Sequence, residues 1–119
     1  MIELVLYLVS KLGKKIFGNY LFVYGVIKSY QKKELRKYLF DLAYSEDQYC
    51  NVLGQYHFNK YWITSNSKHK FGNPDETISS VLGKNKIDET LLRRGKRIDE
   101  KLLERLETNH TVKAIEQDE

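Results

Sequence analysis

The sequence predicts a mainly α protein: a small single-domain helical bundle of about four to five helices, with a short apolar hairpin as an alternative near residues 20–30. Two observations lead to this prediction. The chain has 119 residues, of which 41% are hydrophobic, and this suits one hydrophobic core. Apolar residues also recur at intervals of three and four over most of the chain. We expect residues 1–29 to form an apolar, basic N-terminal segment and residues 30–116 to form a helical domain.

The N-terminal segment contains two apolar runs. Residues 1–17 predict an amphipathic helix, because Ile2, Val5 and Val9 share one helical face while lysines fall on the other side. The second run, residues 20–27, is aromatic and β-branched and fits either a buried helix or a strand. Neither run reaches the roughly 20 apolar residues that span a bilayer, so no transmembrane helix is predicted, and an in-plane or re-entrant segment stays open as an alternative.

Positive charge is concentrated in the same part of the chain. Residues 1–40 hold eight Lys or Arg and two acids, whereas residues 71–119 hold nine and eleven. Coincident apolar and basic character predicts an anionic membrane surface as the partner, with a host or phage protein or a homo-oligomer as alternatives. Aromatic residues between Lys28 and Tyr38 also permit nucleic-acid binding, which is a less favoured prediction. The predicted binding residues are Lys11, Lys14, Lys15, Lys32, Lys33, Arg36 and Lys37.

Local signals predict the remaining helices. Helical periodicity runs from Lys32 to Phe58, and Ser45 followed by acids predicts a junction between two helices there. Residues 59–72 are polar and predict a loop. Residues 73–84 predict a short helix that is capped by Asn73 and ends at Gly83. Residues 88–108 predict a last helix, whose charges of mixed sign are typical of a solvated face.

No catalytic or metal-binding motif is present in the sequence. It lacks a glycine-rich phosphate loop and a nucleophile elbow. The lone Cys50 and the three dispersed histidines predict no metal site and no cofactor, and the lone cysteine suits a reducing, intracellular compartment. A small hydrolase that uses Asp75, Ser79 and His110 remains as an alternative, although helix capping also explains the acids around Ser79.

Three segments resemble a family of small tailed-phage and prophage proteins. They are Asp47-Gln48 with Asn51, the block Gly72-Asn-Pro-Asp-Glu-Thr-Ile-Ser-Ser-Val-Leu-Gly-Lys84, and the stretch around His110. The resemblance covers residues 47–116. It implies a phage-encoded accessory protein in the cytoplasm or at the inner membrane face of the infected bacterium, or a virion component.

Polar residues of these segments form a predicted cluster. If they meet in the fold, they form either a hydrogen-bond network that joins helices or a functional pocket, and we favour the network because buried polar groups need partners. The cluster comprises Asp47, Gln48, Asn51, Asp75, Glu76, Ser79, Ser80 and His110.

Two non-enzymatic functions are therefore predicted ahead of the hydrolase. The leading hypothesis is a protein that binds a membrane surface, or a partner protein, through its N-terminal segment. The alternative is a virion structural or assembly protein in which residues 1–27 are buried against other subunits.

Overall fold

Helices dominate the computed structural model, which describes residues 1–103 and 113–115, and the prediction of a mainly α protein is confirmed. The helices are α1 (Ile2–Gln31), α2 (Leu35–Leu53), α3 (Gln55–Tyr61), α4 (Ile78–Ile87) and α5 (Arg93–Ile98). A π-helical turn, Asp99–Leu103, follows α5 directly. The chain divides into two compact units, which we call the N-terminal unit (Met1–Leu42) and the C-terminal unit (Ala43–Glu119).

The first helix is continuous over 30 residues. The hairpin that the sequence allowed near residues 20–30 does not form, because both apolar runs belong to α1 and Gly18 and Asn19 between them are helical. An isolated two-stranded hairpin is marginal in water, whereas a helix satisfies its own backbone hydrogen bonds. No helix among the described residues is both long enough and apolar enough to cross a membrane.

A tight turn separates α1 from α2. The N–H of Lys33 donates to the carbonyl of Tyr30 at 3.1 Å, and the N–H of Glu34 donates to that of Ser29 at 2.7 Å. This pair of bonds is a Schellman motif, with Lys33 in the left-handed conformation at φ 60°. Beyond the turn the two helices come close at Gly25, where an added Cβ would meet the hydroxyl of Tyr38.

The second helix does not break where the sequence predicted. Residues on both sides of Ser45 are helical, and the junction with α3 lies instead at Gly54. The predicted helix start at Ser45 was wrong, because the nearby Asp47 bonds the start of α4 and does not cap a helix that begins at Ser45. The carboxylate of Asp47 accepts a hydrogen bond from the N–H of Ile78, the first residue of α4, at 2.7 Å.

The fourth helix is displaced from its predicted position. It begins after Thr77, whose hydroxyl accepts from the N–H of Ser80 at 3.0 Å, so Asn73 is not its cap. It continues through the buried Gly83 and ends in a second Schellman motif, with Glu89 left-handed at φ 56°. The predicted stop at Gly83 was wrong because helix propensity is a weak preference that packing overrides.

The last described helix also starts later than predicted. Residues 88–92 form a turn and an extended connection, in which Leu91 makes an antiparallel bridge with Ile63. Helix α5 begins at Arg93. Ile87 is largely exposed, whereas Leu91 is buried and packs in the core of the C-terminal unit. The predicted continuation to Thr108 falls on residues that the structure does not describe.

The core of the C-terminal unit is built around three rings. Phe58 stacks on Trp62 with ring centres 3.9 Å apart, and Phe71 meets both rings edge-on. The buried aliphatic residues packed with them are Ile63, Val81, Leu82 and Leu91. Helix α5 approaches this core closely, since a Cβ on Gly95 would collide with the carbonyl oxygen of Trp62.

Candidate functional site

The predicted polar cluster centres on Asn51, whose side chain is fully buried. Its amide nitrogen donates to the carbonyls of Asn73 and Glu76 at 3.0 and 2.8 Å. Its side-chain oxygen accepts from the N–H of Gly72 at 3.0 Å. One side chain of α2 therefore bonds three backbone groups of the segment that leads into α4.

Asp47 lies one helical turn before Asn51 and completes the attachment of α2 to α4. Besides accepting from the N–H of Ile78, its carboxylate accepts from the hydroxyl of Ser79 at 3.1 Å. A carboxylate at a helix N-terminus satisfies backbone donors and interacts favourably with the helix dipole. Thr77 also caps the N–H of Ser80. The start of α4 is therefore bonded both by its own N-cap residue and by Asp47 of α2.

Two further asparagines, which the sequence analysis did not single out, bind the rest of the same connection. Asn59 of α3 exchanges two hydrogen bonds with the backbone of Phe71, accepting at 2.7 Å and donating at 3.0 Å. Asn85 of α4 is fully buried and donates to the carbonyls of His69 and Val81, both at 2.9 Å. Its side-chain oxygen accepts from the hydroxyls of Ser67 and Thr90.

These contacts show that the connection between α3 and α4, residues 62–77, is held by asparagine side chains from three helices. An amide carries one acceptor and two donors, so it can pair with an irregular backbone much as another backbone would. A spacing signal existed in the sequence: Asp47, Asn51, Gln55 and Asn59 recur every four residues and form a polar row.

The other members of the predicted cluster divide into four groups. Glu76 takes part through its carbonyl, and its carboxylate pairs with Lys84 at 2.8 Å. Ser80 is buried, and its hydroxyl has no hydrogen-bond partner among the described residues. Asp75 is exposed and Gln48 is half-buried. His110 lies outside the described part of the chain.

This geometry fits a structural network. The hydroxyl of Ser79, a candidate nucleophile, donates to a carboxylate that also caps α4. Asp75, a candidate catalytic acid, has an exposed side chain, and its backbone N–H donates to the side chain of Asn73 at 3.0 Å. Across residues 1–103 and 113–115, no three metal-ligating side chains converge.

A second candidate site is an exposed apolar face on α1, which we call the apolar stripe. Its members recur at helical spacing, and each is more than half exposed, from 51% for Ile27 to 68% for Ile2 and Tyr20. The opposite side of α1 carries Gly25 and the buried Ser29, which lie towards α2. The apolar stripe comprises Ile2, Val5, Leu6, Val9, Leu12, Ile16, Tyr20, Val23, Tyr24 and Ile27.

All seven predicted binding cations are exposed. Lys11, Lys14 and Lys15 fall on the side of α1 away from the apolar stripe, as their spacing predicts. Lys37 is bonded to Asp41 at 2.8 Å, and this hydrogen bond raises the pKa of the Lys37 ammonium above its usual value. Lys33 occupies the left-handed position of the turn between α1 and α2.

Comparison with known proteins adds no relative to these observations. No protein-family model, no curated protein and no solved structure matches this chain, so its function has to be argued from its own residues and geometry.

Proposed function

We propose that the protein is a non-enzymatic, phage-encoded accessory protein that binds an anionic membrane surface, with α1 lying in the plane of that surface. The observation that carries this proposal is the apolar stripe, which is exposed along a helix of 30 residues. A helix of that length extends for about 45 Å at about 1.5 Å per residue.

The apolar stripe provides the first part of the binding energy. Fully burying an aliphatic or aromatic side chain contributes about 1.5–3 kcal/mol, and the side chains of the stripe are a little over half exposed. Each therefore contributes on the order of 1 kcal/mol when it leaves water. Tyr20 and Tyr24 suit the headgroup boundary, because a tyrosine ring has an apolar body and a polar end.

Charge supports lipid over a second copy of this chain. The net charge of residues 1–40 is +6, from eight basic and two acidic residues, so two copies of this segment repel each other. Anionic headgroups neutralise the same charge, and each Lys near such a surface contributes about 1 kcal/mol. Lys11, Lys14 and Lys15 lie opposite the apolar stripe, where their flexible stems can reach the headgroups.

The biological setting depends on the resemblance of residues 47–116 to small tailed-phage proteins. In that setting the membrane is the inner membrane of the infected bacterium, whose cytoplasmic face carries anionic lipid. The C-terminal unit has its own core and would remain outside the lipid.

Vesicle flotation tests the proposal. Full-length protein is mixed with vesicles of phosphatidylcholine alone or with roughly one-third phosphatidylglycerol, and we expect it to float only with the anionic vesicles. Ile16→Glu places a charge on the apolar stripe and should lower partitioning about tenfold. Leu21→Glu is the matched control, because Leu21 is equally exposed (59% against 60% for Ile16) but lies off the stripe.

Three outcomes would contradict membrane binding through α1. The first is that the full-length protein stays at the bottom of the gradient with anionic vesicles, and the second is that the two glutamate variants float equally. The third is that light scattering without lipid shows a defined oligomer that Ile16→Glu dissociates. That last result would assign the apolar stripe to a second copy, as expected of a virion assembly protein.

A further inference from the structure

The C-terminal unit carries a separate concentration of arginine. Arg93, Arg94 and Arg97 are three of the five arginines of the whole chain, and all three are exposed on α5. Lys96 and Lys101 are exposed on the same helical segment. The basic residues of the N-terminal segment are mostly lysines instead, since residues 1–40 contain seven lysines and one arginine.

The structure separates charges that alternate in the sequence. Asp99 follows the arginines but is 2% exposed, and its carboxylate pairs with Lys86 at 3.1 Å. Glu100 alone of the acids between residues 93 and 101 is exposed. Within the described part of the chain, none of the three arginines forms an ion pair with an acid. The exposed side of α5 is therefore strongly basic. The prediction of a face of mixed charge for residues 88–108 extends over residues that the structure does not describe.

An aromatic ring lies beside these cations. The guanidinium carbon of Arg94 is 5.2 Å from the ring centre of Tyr61, and the ammonium of Lys60 is 5.1 Å from the same centre. The ring of His57 lies 4.9 Å from that of Tyr61. Planar guanidinium groups next to aromatic rings are the combination with which proteins contact both phosphates and bases.

Backbone contacts with the end of α3 fix the start of α5, which carries the arginines. The N–H of Leu92 donates to the carbonyl of Trp62 at 2.8 Å, next to the bridge between Ile63 and Leu91. Gly95 lies against the same carbonyl with no room for a side chain. The start of α5 is thus fixed directly beside the end of α3, so the backbone that carries the arginines is held in place before any ligand arrives.

We propose that this face, formed by Lys60, Tyr61, Arg93, Arg94 and Arg97, binds the phosphodiester backbone of single-stranded nucleic acid. Arginine forks match phosphate oxygens, and an aromatic ring accepts an unpaired base without sequence preference. Among the residues that the structure describes, this face has no row of exposed apolar side chains comparable to the apolar stripe, so it fits lipid less well. The proposal does not depend on membrane binding by α1.

This proposal is tested by fluorescence anisotropy with a labelled oligothymidine in the absence of lipid. The full-length protein should bind, and its affinity should fall steeply with salt. Arg93→Gln/Arg94→Gln/Arg97→Gln should weaken binding at least tenfold and reduce the slope of log K against log salt by about 2, since each phosphate contact on a single strand contributes about 0.7. Lys68→Gln/Lys70→Gln removes charge from two exposed lysines outside this face and should leave the slope nearly unchanged.

Tyr61→Leu provides a second readout, because it removes the ring and keeps the charge. We expect about a fivefold loss of affinity with an unchanged salt slope. Circular dichroism checks that each variant keeps its helices. The proposal fails if the wild-type protein does not bind the oligonucleotide, if the arginine and lysine variants lose affinity equally, or if the arginine variant loses binding only to anionic vesicles.

Discussion

At the scale of single residues, buried asparagine is the feature that distinguishes this protein. Asn51 and Asn85 are both fully buried, in α2 and α4, positions where asparagine is a poor helix former. They are retained in the helices because their side chains bond the backbone of residues 64–77 and the polar groups around it. These hydrogen bonds contribute strongly to the free energy of unfolding, since each buried polar group left without a partner costs about 1–3 kcal/mol.

Asn85→Ala should therefore lower the free energy of unfolding by about 3 kcal/mol, because it leaves the hydroxyl of Ser67 and the carbonyl of His69 without this partner. Urea denaturation followed by the fluorescence of Trp62, the only tryptophan, measures the change. Asn66→Ala is the matched control: Asn66 is exposed, and its loss should cost about 0.5 kcal/mol or less. Equal costs for the two variants would refute the role assigned to Asn85.

At the scale of secondary-structure elements, the structure is determined by bonds between helices and the ends of other helices. The start of α4 is bonded by Asp47 of α2, and α5 lies against the end of α3 through the contact of Gly95 with Trp62. Two helices, α1 and α4, end in Schellman motifs with lysine or glutamate in the left-handed position that glycine usually occupies. A sequence rule that looks for glycine at helix ends therefore misplaces both ends.

Two of the three acids of the predicted cluster, Asp47 and Asp75, should behave differently when they are removed. Asp47→Ala should destabilise the protein by about 1–2 kcal/mol, because it deletes a cap that accepts two hydrogen bonds. Asp75→Ala removes an exposed side chain and should change stability by no more than about 0.5 kcal/mol. Thermal unfolding of both variants measures the difference. A larger effect at Asp75 than at Asp47 would show that the acid that caps α4 has been misidentified.

At the scale of the whole molecule, burial is unequal between the two units. The apolar core of Ile63, Phe71, Val81, Leu82 and Leu91 belongs entirely to the C-terminal unit. All residues of the N-terminal unit are described, and Ser29 is the only one of them that is buried. Hydrophobic burial provides most of the stability of a fold, so the C-terminal unit should contain nearly all of it.

A truncated chain that begins at Ala43 should consequently fold. It keeps the second half of α2, including Asp47 and Asn51, together with the whole aromatic core. We expect one cooperative urea transition and a Trp62 emission maximum equal to that of the full-length protein. A gradual transition, or emission typical of exposed tryptophan, would show that the core needs residues 1–42.

The sequence by itself determined the helical class, the apolar and basic character of residues 1–40, and the polar connection after α3. These properties follow from local composition and periodicity, which act within a few residues. Asp47 and Asn51 were also predicted to belong to a polar cluster, because they lie in segments that resemble the tailed-phage proteins and because buried polar groups require partners.

Only the tertiary structure decided which partners those residues have. The acids after Ser45 resemble a local helix cap, yet Asp47 bonds the N-terminus of α4, 31 positions later in the chain. Asn59 and Asn85 were overlooked because the backbone groups they bind lie in another segment. Likewise, the arginines of α5 form a basic face only because Asp99 turns into the protein. In each case the deciding interaction joins residues that are distant in sequence, and no local pattern encodes such a pairing.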